Sequence, residues 1–169
     1  MSMSVGVLVS LEEYLNTSYS PDREYVDGVV LERHVGERPH SLLQKNIVIS
    51  LQTRHPGIFV WPEQRVRTIR NRARIPDVCV TLDDPNIDVF DTPPFICTEI
   101  LSRRDEMSHI LEKLEEYHSF GEPHIWVFDP RRRKAYVYGG GKLEEHRGDA
   151  LTTDNPQISL PLEDVFRNL

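Results

Sequence analysis

The segment Phe95-Ile96-Cys97-Thr98-Glu99-Ile100-Leu101 indicates the fold class, because it is mostly apolar and is followed by a change of periodicity. An apolar run of this length is typical of a strand that is covered on both faces. Beyond it, apolar side chains return every three or four residues until Gly121, which predicts a helix with a glycine stop. The residues of this helical stripe are Met107, Ile110, Leu111, Leu114, Tyr117 and His118. A further strand is predicted over His124 to Asp129, where Pro130 ends it.

The region before this segment is predicted to be rich in strands. Ile75 to Leu82 alternates Val78, Val80 and Leu82 with other residues, as a strand does. Asp83 to Pro94 contains three prolines and four acids and is interpreted as a loop. Ile58 to Ile69 is predicted to be one long strand or two strands joined by Pro62.

The N-terminal third is predicted to hold two helices and a hairpin. Ser10 followed by Glu13 suits the start of a short helix within Leu8 to Leu15. Glu24 to Val35 reads as a hairpin that turns at Asp27-Gly28. His40 to Gln52 has a helical period and is predicted to be the first core helix.

The C-terminal part is predicted to contain a second hairpin and a last helix. Ala135 to Tyr138 and Leu143 to His146 flank three glycines, and Leu160 to Leu169 ends in an amphipathic helical pattern. Strands and helices in this order predict an α/β fold, a mixed β-sheet flanked by helices, with an N-terminal helix and hairpin. No repeat or linker divides the chain, so residues 1–169 are expected to form a single domain.

Composition and charge argue against several classes of protein. Hydrophobic residues make up 38% and charged residues 28% of the chain, which argues against disorder. No apolar run is long enough to cross a membrane, and Met1 to Ser10 lacks the basic region of a signal peptide. Cys79 and Cys97 lie in apolar runs and are interpreted as reduced core residues of a cytoplasmic protein. A net charge of −7 argues against a protein that coats nucleic acid non-specifically.

Two clusters of basic residues depart from this acidic average. One contains five arginines between Arg65 and Arg74, and the other runs from Arg131 to Lys134. Each cluster is explained either as a solvated loop or as the rim of a binding site that contacts phosphates. Only a location beside the active site would favour the second explanation. The candidate nucleic-acid contacts are Arg70, Arg72 and Arg74.

Three ionisable residues occur where their neighbours predict burial. Asp77 follows Pro76 at the start of a strand, and Glu99 lies inside an apolar strand. Lys113 stands about 40° from Tyr117 on a helical wheel, at the edge of the buried stripe. Two carboxylates from adjacent strand ends form a set of oxygen ligands for Mg²⁺, and a nearby ammonium offsets charge in a transition state. The alternative is structural: Glu99 and Lys113 form a buried ion pair and Asp77 caps a turn.

Several motifs in order carry a family resemblance. They are Arg74-Ile75-Pro76-Asp77-Val78, Glu99-Ile100-Leu101-Ser102, Glu112-Lys113-Leu114-Glu115-Glu116-Tyr117 and His124-Ile125-Trp126-Val127-Phe128-Asp129-Pro130. With Arg23-Glu24-Tyr25-Val26-Asp27-Gly28 upstream, this pattern resembles the Uma-two family of restriction-endonuclease type, within the PD-(D/E)xK nuclease superfamily. The resemblance covers nearly the whole chain and implies a restriction-endonuclease-like core.

The resemblance also implies roles for individual residues. Asp77 matches the aspartate of the PD element and Glu99 the acidic residue of the (D/E)xK element. Leu101 stands where the superfamily usually has its lysine, and Lys113 matches the place to which that lysine has moved in this family. His109 stands where many members have an aspartate, and Asp105 is a candidate substitute.

Three accessory residues are candidates on the same grounds. Glu24 matches a recurring glutamate near the metal, although it equally suits a pairing with an arginine. His40 matches a histidine that opens the first core helix, where capping is the alternative role. Tyr117 lies one turn from Lys113, and a tyrosine there is more often part of the core.

The function expected from residues and resemblance together is a Mg²⁺-dependent endonuclease, with Mn²⁺ as a substitute, that cleaves DNA by metal-activated water. A homodimer is expected, because nucleases of this type often cut two strands as symmetric dimers. The alternative is a non-catalytic nucleic-acid-binding or regulatory module that retains the nuclease fold. A structural domain with an ion-pair network is the third possibility.

Overall fold

The structure is a computed structural model that describes residues 7–34 and 36–169. The predictions for Met1 to Gly6 and for the Val35 end of the first hairpin therefore lie outside the described residues. The helices are α1 (Leu11–Leu15), α2 (Arg38–Arg54), α3 (Met107–Phe120) and α4 (Leu162–Val165). The strands are β1 (Glu24–Val26), β2 (Val29–Leu31), β3 (Phe59–Pro62), β4 (Val66–Arg67), β5 (Arg72–Arg74), β6 (Val78–Thr81), β7 (Ile96–Ile100), β8 (His124–Asp129), β9 (Lys134–Gly139), β10 (Lys142–His146), β11 (Ala150–Thr152) and β12 (Ser159–Pro161).

The central sheet is mixed, which confirms the predicted fold class. Six strands are arranged in the order β10-β9-β8-β7-β6-β3. Strands β7 and β8 are parallel, because α3 carries the chain from the end of β7 back to the edge of the sheet where β7 began. The other neighbouring strands are antiparallel. The start of β6, the end of β7 and the end of β8 therefore lie side by side at one edge, which we call the active-site edge.

A second sheet covers the N-terminal side of the molecule. Its order is β2-β1-β5-β4, and Tyr14 of α1 packs on Tyr25 of β1 with ring centroids 5.1 Å apart. The turn of the first hairpin is at Asp27-Gly28 as predicted, with φ of 49° and 95°, the positive values that a two-residue turn needs. The segment predicted as one strand or two joined strands forms β3 and β4, which belong to different sheets.

Two hydrophobic clusters lie on opposite faces of the central sheet. Helix α2 packs Leu43, Ile47 and Leu51 on one face, and α3 packs Leu114 and Tyr117 on the other. Full burial of such side chains contributes roughly 1.5–3 kcal/mol each relative to exposure. The two faces explain why the strand segments read as nearly continuous apolar runs.

Some predicted boundaries need correction. Helix α2 begins at Arg38, ahead of the predicted start, because Pro39 is compatible with a first helical turn. The predicted final helix is wrong over most of its length: α4 spans only Leu162–Val165, and residues 159–161 pair with β11 instead. Cys79 and Cys97 are buried free thiols on paired strands, as expected for core cysteines. Across the described ranges, every helix is too short or too polar to span a membrane.

Candidate active site

Asp77, Glu99 and Lys113 meet at one cavity on the active-site edge. Asp77 immediately precedes β6, Glu99 lies in β7 and Lys113 projects from the middle of α3. The cavity has a volume of about 530 Å³ and is also lined by Glu24, Arg33 and His40. Topology explains the convergence, because β6 starts beside the end of β7 and α3 runs back over the same face of the sheet.

Asp77 is buried, and protein groups already bind both of its side-chain oxygens. Its Oδ1 accepts a hydrogen bond from Arg33 Nη2 at 3.1 Å and lies 3.1 Å from His40 Nε2, and Oδ2 accepts from the Ile100 amide at 2.7 Å. Burial would raise the pKa of Asp77, but His40, Lys113 and Arg33 outweigh it and lower that pKa. Burial likewise opposes the charged form of His40, yet Asp77 raises the pKa of the imidazole. Asp77 is therefore held as a carboxylate.

Glu99, Lys113 and Glu24 form a buried chain of alternating charge. Lys113 Nζ lies 2.8 Å from Glu99 Oε1 and 2.7 Å from Glu24 Oε1. The hydroxyl of Tyr117 donates a hydrogen bond of 2.7 Å to Glu99 Oε1. Burial, with Asp77 and Glu24 adding to it and Lys113 opposing, raises the pKa of Glu99 to about 7. One ammonium thus serves two carboxylates, and a further cation would stabilise the ionised form of Glu99, which burial disfavours.

Glu24 pairs with an arginine, which is the alternative role that was considered for it from the sequence. Burial opposes its ionised form, but Lys113 and Arg74 lower the pKa of its carboxyl. Arg74 Nη1 lies 3.2 Å from Glu24 Oε2, and the Ile75 amide donates to Oε1 at 3.0 Å. Glu24 therefore orients Lys113 from the side opposite Glu99.

His109 occupies the position where the chain departs from the family pattern, and the orientation of Lys113 does not depend on it. The His109 side chain is 75% exposed and pairs with Glu106 at 3.7 Å. Asp105 Oδ2 accepts a hydrogen bond of 2.6 Å from the Ser102 amide, so it holds the loop after β7. Glu24 and Glu99 hold the ammonium through ion pairs, and it also lies 5.9 Å from the centre of the Tyr117 ring.

The three arginines that were candidates for nucleic-acid contact occupy other places. Arg74 is buried and pairs with Glu116 at 2.7 Å and with Glu24. Arg72 pairs with Asp27 at 2.7 Å and with Glu116 at 3.0 Å. Arg70 is exposed in the turn between β4 and β5, with φ of 32°. Internal carboxylates thus pair with Arg72 and Arg74, and Arg70 is the one of these three arginines whose side chain is exposed.

Arg33 is a cavity residue that the sequence analysis did not identify. It follows β2, within the segment predicted as the first hairpin, and its side chain is only 17% exposed. Burial opposes its charge, but Asp77 and the glutamates around it raise the pKa of the guanidinium. No local pattern could have placed it against Asp77, because the contact joins the loop after β2 to the residue before β6, a strand of the other sheet.

The donor atoms suit a hard cation only in part. Asp77 and Glu99 supply the carboxylate oxygens that Mg²⁺ prefers. Within the described parts of the chain, no set of three or more His, Cys, Asp or Glu side chains is arranged around a common metal position. Mg²⁺ is often held by one or two carboxylates plus waters and phosphate oxygens, so two carboxylates are a sufficient protein contribution.

Another buried acid, Glu122, lies in the loop between α3 and β8. Neither of its carboxyl oxygens has a hydrogen-bond partner among the residues that the structure describes. Burial raises the pKa of Glu122 to about 8, with the neighbouring Cys97 thiol offsetting only part of the effect. A buried carboxyl without a partner is held protonated near neutral pH, since the ionised form would be costly there.

We therefore expect Glu122 to make stability depend on pH. A carboxyl whose pKa is higher in the folded state stabilises the fold fully below pH 4.5, and the contribution is lost as pH rises through about 8. Glu122→Gln should abolish this loss and be more stable than the wild type at pH 9 by several kcal/mol, at about 1.4 kcal/mol per pKa unit. Urea unfolding at pH 5, 7 and 9 measures the difference, and the exposed Glu144→Gln is the matched control. Parallel pH profiles for wild type and Glu122→Gln would contradict the assignment.

Comparisons with known proteins identify the family of this chain and a solved structure with the same fold. The Uma2 family model, described as "Putative restriction endonuclease", matches residues 11–168. A solved structure from Anabaena variabilis ATCC 29413, described as a "putative nuclease belonging to DUF820", superimposes with a TM-score of 0.75 at 20% identity. The alignment covers 94% of this chain and 97% of that chain, and at this identity it shows a shared fold. A comparison with curated proteins found no match. Because the family match spans nearly the whole chain, the protein belongs to the Uma2 family and has the mixed α/β fold of a nuclease.

Proposed function

We propose that this protein is a Mg²⁺-dependent endonuclease that hydrolyses DNA phosphodiester bonds by metal-activated water. The observation that carries the proposal is the meeting of two carboxylates, Asp77 and Glu99, with the Lys113 ammonium 2.8 Å from Glu99. Membership of the Uma2 family supports the reaction class.

Asp77 and Glu99 would hold the metal. When bound, Mg²⁺ would supply positive charge for a phosphoryl oxygen and acidify water near it. The donor chemistry supports this assignment, because the buried Glu99 carboxylate shares a single ammonium with Glu24. Among the described residues, the hydrogen bonds to Glu99 all reach Oε1, which leaves Oε2 for a ligand.

The remaining cavity residues have roles that follow from their contacts. Lys113 places a positive charge beside the carboxylates, where it would stabilise the negative charge that grows on a phosphoryl group under attack. Tyr117 orients Glu99 through its hydroxyl, while His40 and Arg33 fix Asp77. The guanidinium of Arg33 also faces the cavity, where it suits contact with a phosphate oxygen.

The experiment that tests this function is cleavage of plasmid and linear DNA with and without divalent cations. Wild-type protein should cleave DNA with Mg²⁺ or Mn²⁺ and should not cleave it in EDTA. Addition of excess Mg²⁺ to the EDTA sample should restore cleavage. No cleavage of DNA over a wide range of sequences with either metal would sink the proposal.

A specific observation favours the second candidate function, a non-catalytic module that retains the nuclease fold. Both oxygens of Asp77 already accept hydrogen bonds from protein groups, so a metal would have to compete with Arg33 and His40. In that case calorimetry would give the same Mn²⁺ binding for wild type and Glu99→Gln. Metal binding that depends on Glu99 separates the two functions.

A further inference from the structure

The second basic cluster lies on the active-site edge of the sheet. Strands β7 and β8 are parallel, with Ile100 opposite Phe128, and the Leu101 amide donates to the Phe128 carbonyl at 2.9 Å. The loop after β7 and the turn between β8 and β9 therefore leave the sheet at the same edge. The first carries Arg103 and Arg104, and the second carries Arg131 and Arg132.

Both loops are built in the same way, with an aspartate turned inward onto backbone amides. Asp105 accepts from the Ser102 amide at 2.6 Å, and Asp129 accepts from the amides of Arg131 and Arg132 at 2.9 and 3.2 Å. The acid in each loop is thus used to fix the backbone, and the arginines point to solvent.

These arginines are available for a ligand. The side chains of Arg103 and Arg132 are 72% and 73% exposed, and their ion pairs with described residues are long, at 3.7 Å to Glu37 and 3.9 Å to Asp129. Arg104 and Arg131 are exposed, and within residues 7–34 and 36–169 neither has a carboxylate at ion-pair distance. Arg104 also lines the cavity that holds Glu99. Arg104 thus belongs to the cavity wall, and the other three arginines lie in the two loops at the same edge of the sheet.

The opposite edge of the sheet has a different charge. Strand β6 ends there and is followed by Asp83 and Asp84, while the turn between β9 and β10 consists of glycines ahead of Lys142. The two loops thus place four exposed arginines at the active-site edge of a chain whose net charge is −7, although the cavity beside them is also lined by carboxylates such as Glu106 and Glu112.

We propose that Arg103, Arg104, Arg131 and Arg132, the edge arginines, bind the phosphate backbone of the DNA substrate on one side of the cavity. The inference rests on the proposed nuclease function and adds where the substrate lies. Strand neighbours are about 4.8 Å apart, so β9 lies about 10 Å from β7. Duplex DNA has a phosphate about every 3.4 Å of axis per strand, so the two loops reach different phosphates of one strand.

The test is the binding of a fluorescein-labelled 20-base-pair DNA duplex, measured by anisotropy in EDTA, where the proposed cleavage cannot occur. The variant is Arg104→Ala/Arg131→Ala, one exposed arginine from each loop. Loss of two phosphate contacts should weaken binding at least several-fold and reduce the slope of log Kd against log salt by about 1.8. Both side chains are exposed, so thermal unfolding should be nearly unchanged.

The matched control is Arg67→Ala/Lys142→Ala, which removes the same charge from exposed positions on β4 and at the opposite edge. It should keep wild-type affinity and salt dependence. An equal loss in both double variants would overturn the proposal, because net charge and not a located surface would then explain binding. Wild-type affinity in Arg104→Ala/Arg131→Ala would overturn it too. Since binding is read without metal, a protein that binds through the edge arginines but never cleaves would contradict the nuclease proposal alone.

Discussion

Lys113→Met should destabilise the protein by about 3–5 kcal/mol near neutral pH, the usual cost of removing one partner from a buried ion pair. Lys113 lies 2.7 Å from Glu24 and 2.8 Å from Glu99, and both carboxylates are buried. Without the ammonium, Glu99 keeps only the Tyr117 hydroxyl as a described partner. Urea unfolding at pH 7.5 measures the loss, which corresponds to a fall in Tm of roughly 10 °C for a chain of this size.

Two further variants separate this cause from a packing effect. Lys113→Met/Glu99→Gln should recover part of the lost stability, since it removes one of the uncompensated charges. The exposed Lys45→Met on α2 is the control and should change stability by less than about 0.5 kcal/mol. The penalty in Lys113→Met should also shrink at pH 5, where protonation of Glu99 removes its charge. A loss below about 1 kcal/mol at pH 7.5 would show that Lys113 does not neutralise the two glutamates.

Glu99→Gln should reduce DNA cleavage by about 10³-fold or more while leaving the fold intact. Loss of a metal ligand removes several kcal/mol of transition-state stabilisation, and each 1.36 kcal/mol is a factor of ten. Stability should not fall, because burial and the neighbouring carboxylates raise the pKa of Glu99 to about 7 and so disfavour its charge above that pH. The glutamine still offers an oxygen to Tyr117, and Lys113 keeps Glu24.

The opposite pattern would identify a structural ion-pair network. If Glu99→Gln unfolds at a much lower temperature and no metal response changes, the glutamate serves stability and not chemistry. Glu144→Gln, an exposed change of the same kind, is the control for both measurements.

Elements with a strong local period were predictable from sequence. The stripe of α3 placed that helix at residues 107–120, and the apolar runs located β7 and β8. The buried-polar argument selected Asp77, Glu99 and Lys113, because a charge inside an apolar strand or beside a helical stripe needs a partner. Their meeting at one cavity follows from the order of strands and helices.

Features that depend on long-range pairing were not predictable. β4 belongs to a different sheet from β3, although both lie in the segment Ile58 to Ile69, which was predicted as one long strand or two joined strands. The arginines between Arg65 and Arg74 looked like one basic cluster, yet Arg72 and Arg74 pair with Glu116 from α3, more than forty residues away in the chain. Arg33 reaches Asp77 across a similar separation. A one-dimensional pattern does not contain such contacts.

The central claim is a metal held by Asp77 and Glu99 beside Lys113, and Mn²⁺-soaked crystals of wild type and Glu99→Gln test it most directly. Anomalous scattering at the Mn²⁺ edge should show a peak between the Asp77 and Glu99 carboxylates in the wild type, within the cavity that Lys113 lines. The same peak should be absent or strongly reduced in Glu99→Gln. A wild-type map without a peak at these carboxylates, at Mn²⁺ concentrations that support DNA cleavage, would contradict the claim.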